Sequence, residues 1–375
     1  MKTLSIQTPV TNDKTDSVRM RMPGTTITTI TTRIALAVMG YALLPVGQAA
    51  WAQDAPAKPS TAAAAKAPAQ VAPWTKIPIP PLHAFKPQPP RRIELANGLV
   101  IFLQEDHELP FIDGSILIRG GSREVPANKT GLVSLYGEAW RTSGSATTNG
   151  DALDSELAKK AASIETGGST ATTSVEWGSF KQDFDTVFGE AVDLLLHPAF
   201  KADKLALAKR GIDTGISRRN DEADSIASRE STKLVYGANN PYARQAEYVT
   251  VAAVTLDDLK AWHDRTVIPN GMIVAVEGDF DGATMEAKLR KVFEPLVRGT
   301  AIESPKVDFA EPKAGVYFAD KEDVNQSTVE IVGLGTERSN PDYYALSVMN
   351  EIFSGGFGSR VMQYVRSRTV AASLG

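Results

Sequence analysis

The sequence predicts an α+β fold, in which helices pack on one side of a largely antiparallel sheet. Short runs with strand-like alternation come first along the chain. Longer stretches with apolar residues three and four positions apart follow, and this is the helical period. Another strand-like and another helical stretch come next. This order is typical of a two-layer sheet-and-helix domain and disfavours a doubly wound fold.

The strand predictions begin with a hairpin, because Asn97 and Gly98 form a dipeptide that favours a two-residue turn between strands. A later strand has apolar residues alternating with polar ones from Ala171 to Trp177, the pattern of a half-buried strand. The predicted strands are residues 92–95, 99–104, 111–119, 170–180 and 272–277.

The helix predictions rest on apolar stripes and end signals. Residues 131–144, GLVSLYGEAWRTSG, have the outline of a helix that ends in a glycine turn. Thr255 and Asp258 form a capping-box pattern that opens a later helix. The predicted helices are residues 131–144, 151–164, 184–195, 205–216, 255–262 and 285–293.

A second copy of the domain is predicted after residue 300. Residues 328–335, TVEIVGLG, are followed by a helical stretch from about Asp342. This order echoes residues 115–121, SILIRGG, and the helix that follows them. We therefore expect a first domain over residues 92–300 and an incomplete second copy over residues 301–375.

The N-terminal part predicts export. Three arginines precede an uncharged stretch at residues 34–52, which indicates a signal peptide over residues 1–52. The alternative is an uncleaved membrane anchor, since 19 residues are just long enough to span a bilayer. Residues 53–91 are rich in proline and alanine and predict an extended linker. Either way, the domains would face a non-cytoplasmic compartment, predicted to be the periplasm.

Composition excludes several kinds of chemistry. The chain has no cysteine, so thiol nucleophiles and cysteine-ligated metals are excluded. Its four histidines are scattered, so no local pair can form a two-histidine metal motif. A formal net charge of -4 disfavours sequence-independent nucleic-acid binding.

Five stretches together carry a family resemblance. They are NGLVIFLQEDHELP (97–110), IRGGSREVPANKTGLVSL (118–135), LLLHPAF (194–200), IPNGMIVAVEGDFD (268–281) and NEIFSGGFGSR (350–360). With them the chain resembles the insulinase and pitrilysin type of zinc peptidases, the inverzincins, which include processing peptidases. The resemblance implies the sheet-and-helix domain predicted above.

The resemblance also implies a zinc motif, and this chain departs from it. The family carries HxxEH on the helix after the glycine-rich strand, where two histidines hold Zn²⁺ and the glutamate acts on metal-bound water. Those positions hold Ser134, Gly137 and Glu138 here, and Ala206 stands nearest the family's third ligand. A catalytic zinc needs about three protein ligands. We therefore expect no metal in this chain.

Glu138 admits two interpretations. It could act alone as a general base, or it could be an ordinary polar residue of a helix surface. Activation of water without a metal needs a strongly tuned partner, so the sequence favours the second interpretation.

A glycine-rich loop is the other candidate site. In the family, such a loop lies beside the substrate cleft of the second domain, and an arginine after it contacts substrate. The corresponding residues here are Gly355, Gly356, Phe357, Gly358 and Arg366. The loop could pair with an extended peptide through its backbone, or it could only be a helix cap and tight turn. The chain departs from the family pattern after this point, which predicts a C-terminal truncation.

These features predict a catalytically silent subunit of an exported peptidase. Its partner would be a homologous HxxEH-bearing subunit that holds the zinc, and together they would enclose extended peptides. The alternatives are a purely structural or assembly homologue, and an active zinc metalloendopeptidase whose ligands come from other positions.

Overall fold

The computed structural model describes Pro78 and residues 87–368 except 308 and 310; for residues 366–368 it describes the backbone alone. The predicted signal peptide and most of the predicted linker lie outside the described residues. None of the described helices is long and apolar enough to cross a bilayer.

Within the described residues, one mixed sheet of six strands forms the centre of the fold. The strands are β1 (Arg91–Glu94), β2 (Val100–Glu105), β3 (Phe111–Arg119), β4 (Ser163–Gly168), β5 (Thr172–Phe180) and β6 (Met272–Gly278). Their order across the sheet is β1-β2-β6-β3-β5-β4. Neighbours are antiparallel except β2 and β6, which run parallel. The predicted hairpin and the largely antiparallel sheet are therefore confirmed.

Ten helices accompany the sheet in the described part of the chain. They are α1 (Leu132–Ser143), α2 (Gly150–Lys160), α3 (Phe184–Leu196), α4 (Ala202–Arg218), α5 (Ala223–Tyr236), α6 (Tyr248–Ala253), α7 (Leu256–Thr266), α8 (Gly282–Phe293), α9 (Tyr343–Ser354) and α10 (Arg360–Arg368). Every helix predicted from the sequence is present. The predicted capping box is also present, since the Thr255 hydroxyl accepts from the Asp258 N–H at 3.2 Å.

The core lies between one face of the sheet and the helices. Along β3, Ile112, Ile116 and Ile118 are buried, whereas Asp113 and Leu117 point to the opposite face and are exposed. This alternation follows from the two-residue period of a strand. The helices α1, α3 and α8 contact the sheet. The predicted two-layer α+β fold is confirmed.

Three parts of the fold differ from the predictions. The helix predicted over residues 151–164 ends at Lys160, because Ala161 takes a left-handed φ of 48° and the chain then enters β4. The helices α5 and α6 were not predicted. Residues 328–335 form no strand, although α9 follows them as expected. Val329 and Ile331 are largely exposed there, and a strand needs a neighbouring backbone to pair with.

Gly114 provides a test of the core. It lies opposite Trp177, and a Cβ at this position would overlap the indole and lie 2.8 Å from Cη2. We expect Gly114→Ala to lower the free energy of unfolding by about 1–3 kcal/mol, measured by urea denaturation. Gly189→Ala is the control, because its Cβ would meet no atom within 4 Å. Gly189 lies inside α3, so this change should raise stability by about 1 kcal/mol. If both variants changed the free energy of unfolding in the same direction, the packing of Gly114 against Trp177 would be contradicted.

Candidate functional site

Glycines at both ends set the position of α1. Gly131 precedes the helix with a left-handed φ of 106°, and Gly144 follows it with a φ of 74°. Side chains other than glycine rarely adopt these values. The helix therefore starts directly after a left-handed turn at Gly131, and it ends in a second tight turn at Gly144.

Two aromatic side chains fix α1 against its neighbours. The fully buried Trp140 donates from Nε1 to the Leu194 carbonyl of α3 at 2.7 Å. The hydroxyl of Tyr136, which is also fully buried, lies 2.9 Å from Nδ1 of His263 in α7. These contacts place one face of α1 in the core. The opposite face is left for Ser134 and Glu138.

The candidate metal positions do not form a zinc site. Ser134 and Glu138 lie four residues apart and are both exposed, Gly137 is buried, and Ala206 is exposed on α4, which packs on α1. Only Glu138 has a side chain that zinc commonly accepts as a ligand. Among the described residues, no group of three or more His, Asp or Glu side chains is placed to hold a metal ion. The donor set does not fit zinc.

Gly137 has no side chain, and at this position α1 closely approaches the backbone of the edge strand β4. A Cβ on Gly137 would lie 3.2 Å from the carbonyl carbon of Gly167, which is tighter than ordinary contact. The Thr166 hydroxyl donates to the Gly137 carbonyl at 2.6 Å. On the other side of the contact, a Cβ on Gly168 would overlap Val133. A glutamate at position 137 would therefore press on the β4 backbone.

One edge of the sheet is open beside α1. β4 is the last strand in the sheet order, so among the described residues one side of its backbone has no neighbouring strand. The Arg141 guanidinium donates to the Ile164 carbonyl on that side and also pairs with Asp154. The backbone N–H and C=O groups of residues two positions apart on a strand point to the same side. Like the Ile164 carbonyl, the N–H and C=O of Thr166 therefore face this edge. Such an edge can pair with an extended peptide.

The glycine loop joins α9 to α10. The N–H of Gly355 donates to the carbonyls of Asn350 and Glu351, which caps α9, and Gly356 has a left-handed φ of 74°. Phe357 is largely exposed. This geometry agrees with a helix cap and tight turn. A contact of Gly355, Gly356, Phe357 or Gly358 with peptide stays a prediction.

Arg366 lies within α10, and its side chain is outside the described residues. Its predicted contact with substrate therefore also stays a prediction. The structure places Ser134, Gly137 and Glu138 on one helix with Ala206 on the helix packed against it, whereas the glycine loop and Arg366 belong to the C-terminal segment.

Sequence reasoning missed two features near α1. The first is β4, although Gly167 and Gly168 are adjacent glycines, which often mark a close backbone approach in a strand. The second is the burial of His263, which lies one residue beyond the helix predicted over residues 255–262. Its apolar neighbours on the same helix, Leu259 and Trp262, give a weak signal for burial.

A cavity of about 760 Å³ lies on the sheet face opposite the helices. The carboxylates of Asp113, Glu165, Glu176 and Glu277 are among the groups that line it, and in the part of the chain that the structure describes no Lys, Arg or His side chain does. It is separated from Ser134 and Glu138 by the sheet. It is therefore not part of the candidate site on α1.

Known proteins are similar to this chain in sequence and in fold. Residues 253–375 match the family described as the Peptidase M16 inactive domain. The solved structure of a peptidase M16 inactive domain from Pseudomonas fluorescens superposes with a TM-score of 0.64 at 26% identity, over 74% of this chain and 68% of that one.

Curated relatives agree with this match. A protein of Helicobacter pylori named non-peptidase homolog YmxG is 25% identical over 74% of this chain and 63% of its own length. A protein of Mycobacterium leprae named an uncharacterized zinc protease is 27% identical over 51% of this chain and 44% of its own length. The chain is therefore similar to M16 inactive domains. It spans about half to two thirds of the length of these relatives.

Proposed function

We propose that this protein is an exported, non-catalytic subunit that binds extended peptides together with a homologous HxxEH-bearing zinc peptidase. The main support is that α1 keeps its packing while positions 134, 137 and 138 lack the donors for zinc. The relatives named as a non-peptidase homologue and as a zinc protease are consistent with such a division of labour.

Peptide binding is assigned to the open edge of β4. At position 137 no side chain lies between α1 and this strand, since Gly137 closely approaches Gly167. The backbone of Thr166 is available for pairing, and each backbone hydrogen bond contributes about 0.5–1.5 kcal/mol. Glu138 and Ser134 are exposed on the neighbouring face of α1 and would contact peptide side chains.

The export and the partner subunit in this proposal are supported by the sequence alone. The arginines before the uncharged residues 34–52 support export, and the zinc would reside in the partner subunit. A purely structural or assembly role is the competing proposal. It is favoured by Gly355, whose N–H is already used to cap α9.

The test uses two substitutions at Thr166. Proline removes the backbone N–H and is tolerated at an edge strand, whereas alanine keeps the N–H and removes only the bond to the Gly137 carbonyl. We expect Thr166→Pro to weaken binding of an unfolded polypeptide such as reduced casein by about tenfold, because backbone pairing is lost. Thr166→Ala should bind within about twofold of wild type. Fluorescence anisotropy measures both affinities.

The partner is tested in the same preparation. The chain is copurified with an HxxEH-bearing homologue from the same genome, and cleavage of the labelled polypeptide is followed. Faster cleavage in the presence of the wild-type chain, but not of Thr166→Pro, supports the proposal. Equal rates with and without the chain, or equal binding by the proline variant, would reject it in favour of a structural role.

A further inference from the structure

The feature that carries this inference is a histidine enclosed by aromatic rings. His263 is 7% exposed and lies on α7 where α1, α3 and the segment before α4 meet. Trp140 meets its ring edge-on at 5.4 Å between centroids, and Phe200 does so at 5.7 Å. The ring of Tyr136 completes the enclosure at 6.1 Å.

The partner of His263 suits a neutral imidazole. Nδ1 lies 2.9 Å from the Tyr136 hydroxyl, and the Leu195 backbone is near the ring. In the neutral ring, Nδ1 can accept from the tyrosine O–H. The imidazole thereby joins α7 to α1.

The surroundings offer little to stabilise a positive charge. From α1 the groups that face the ring are Tyr136 and Trp140, and burial holds the pKa of the Tyr136 phenol well above its usual range, so it stays neutral. The group that α3 places near the ring is a peptide carbonyl, and the segment before α4 contributes a phenyl ring. On α7 itself Asp264 is the nearby carboxylate, and its side chain is exposed.

We infer that the Tyr136–His263 pair is an acid-sensitive latch, in which protonation of the buried imidazole places a charge among aromatic rings and releases α1 from α7. A buried charge without a paired counter-ion is unfavourable, so the protonated ring must reach water. The latch is independent of any role in peptide binding. It predicts a defined loss of structure around α1 on acidification.

The sign of the effect follows from proton linkage. Burial lowers the pKa of His263 from 6.5 to about 4, against the smaller opposing effect of Asp264. Between these two values the released state binds more protons than the latched state. Stability from this group is complete above pH 6.5, falls as the pH drops towards 4, and changes no further below that. A difference of this size corresponds to about a 300-fold increase in the equilibrium constant for release.

The experiment compares two histidines in the full chain. Urea unfolding is measured from pH 7 to pH 4 for wild type, His263→Gln and His197→Gln. His197 is the matched control, since it is exposed and pairs with Asp193 at 2.9 Å. Over this pH range we expect His263→Gln to lose about 100-fold of the acid-induced change in the unfolding constant, and His197→Gln to keep it. Equal pH dependence in wild type and His263→Gln would overturn the latch.

A second measurement covers the case in which His263→Gln fails to fold. Titration of the wild-type imidazoles by NMR should show His263 neutral at pH 5.5, with amide signals of α1 and α7 shifting together as it protonates. Tyr136→Phe should retain the fold and raise the pH at which these signals move. A His263 ring that is charged at pH 5.5, or acid changes that leave α1 unaffected, would contradict the proposal.

Discussion

Trp140→Ala is expected to lower the free energy of unfolding by about 3–5 kcal/mol, the range for deleting a large buried aromatic side chain. Trp140 is fully buried, contacts the rings of Tyr136 and His263, and anchors α1 to α3 through the Leu194 carbonyl. Its removal leaves a cavity and an unpaired buried acceptor. Urea denaturation at pH 7 measures the change.

Trp140→Phe separates these two contributions. Phenylalanine keeps an aromatic ring in the core but cannot donate to the Leu194 carbonyl, so we expect a smaller loss of about 1–3 kcal/mol. A loss below about 1 kcal/mol for the alanine variant would show that α1 is not held by this side chain. The packing assigned to the candidate site would then be wrong.

Introducing histidines at positions 134 and 138 is expected to create a zinc site. Ser134 and Glu138 are exposed and lie four residues apart on α1, the spacing at which two imidazoles reach one ion. We expect Ser134→His with Glu138→His to be stabilised by zinc, by about 2.7 kcal/mol at a zinc concentration 100 times the dissociation constant. Thermal unfolding with and without zinc measures this gain.

The single variants are the controls, because each lacks the pair of imidazoles four residues apart that the double variant places on one helical face. Adding Gly137→Glu to the double variant should lower stability in the absence of zinc, since that side chain meets the backbone of Gly167. Equal zinc stabilisation of wild type and the double variant would mean that the fold already supplies ligands from other positions.

The sequence predicted the strands and helices with strong periodicity and clear end signals. The hairpin at Asn97-Gly98 and the capping box at Thr255 are local features, so their residues were enough to predict them. β4 was missed because its six residues include two glycines and only one buried apolar side chain, that of Ile164. Its place in the sheet depends on pairing with β5, which no local pattern reveals.

The candidate site was predicted in part. Positions 134, 137, 138 and 206 came from the family resemblance, and the structure places the first three on one helix against the helix of the fourth. The role of Gly137 could not be predicted, because the strand that it approaches is distant in sequence. Residues 328–335, which echo the strand residues 115–121 in sequence, form no strand for a related reason: a strand-like sequence does not supply a pairing partner.

The central claim is that this chain holds too few donors for the zinc of its peptidase relatives. The most direct measurement is the metal content of the purified chain after equilibration with zinc and removal of free metal. We expect far less than one equivalent of bound zinc, unchanged by Glu138→Gln. One tightly bound equivalent that is lost in Glu138→Gln would contradict it.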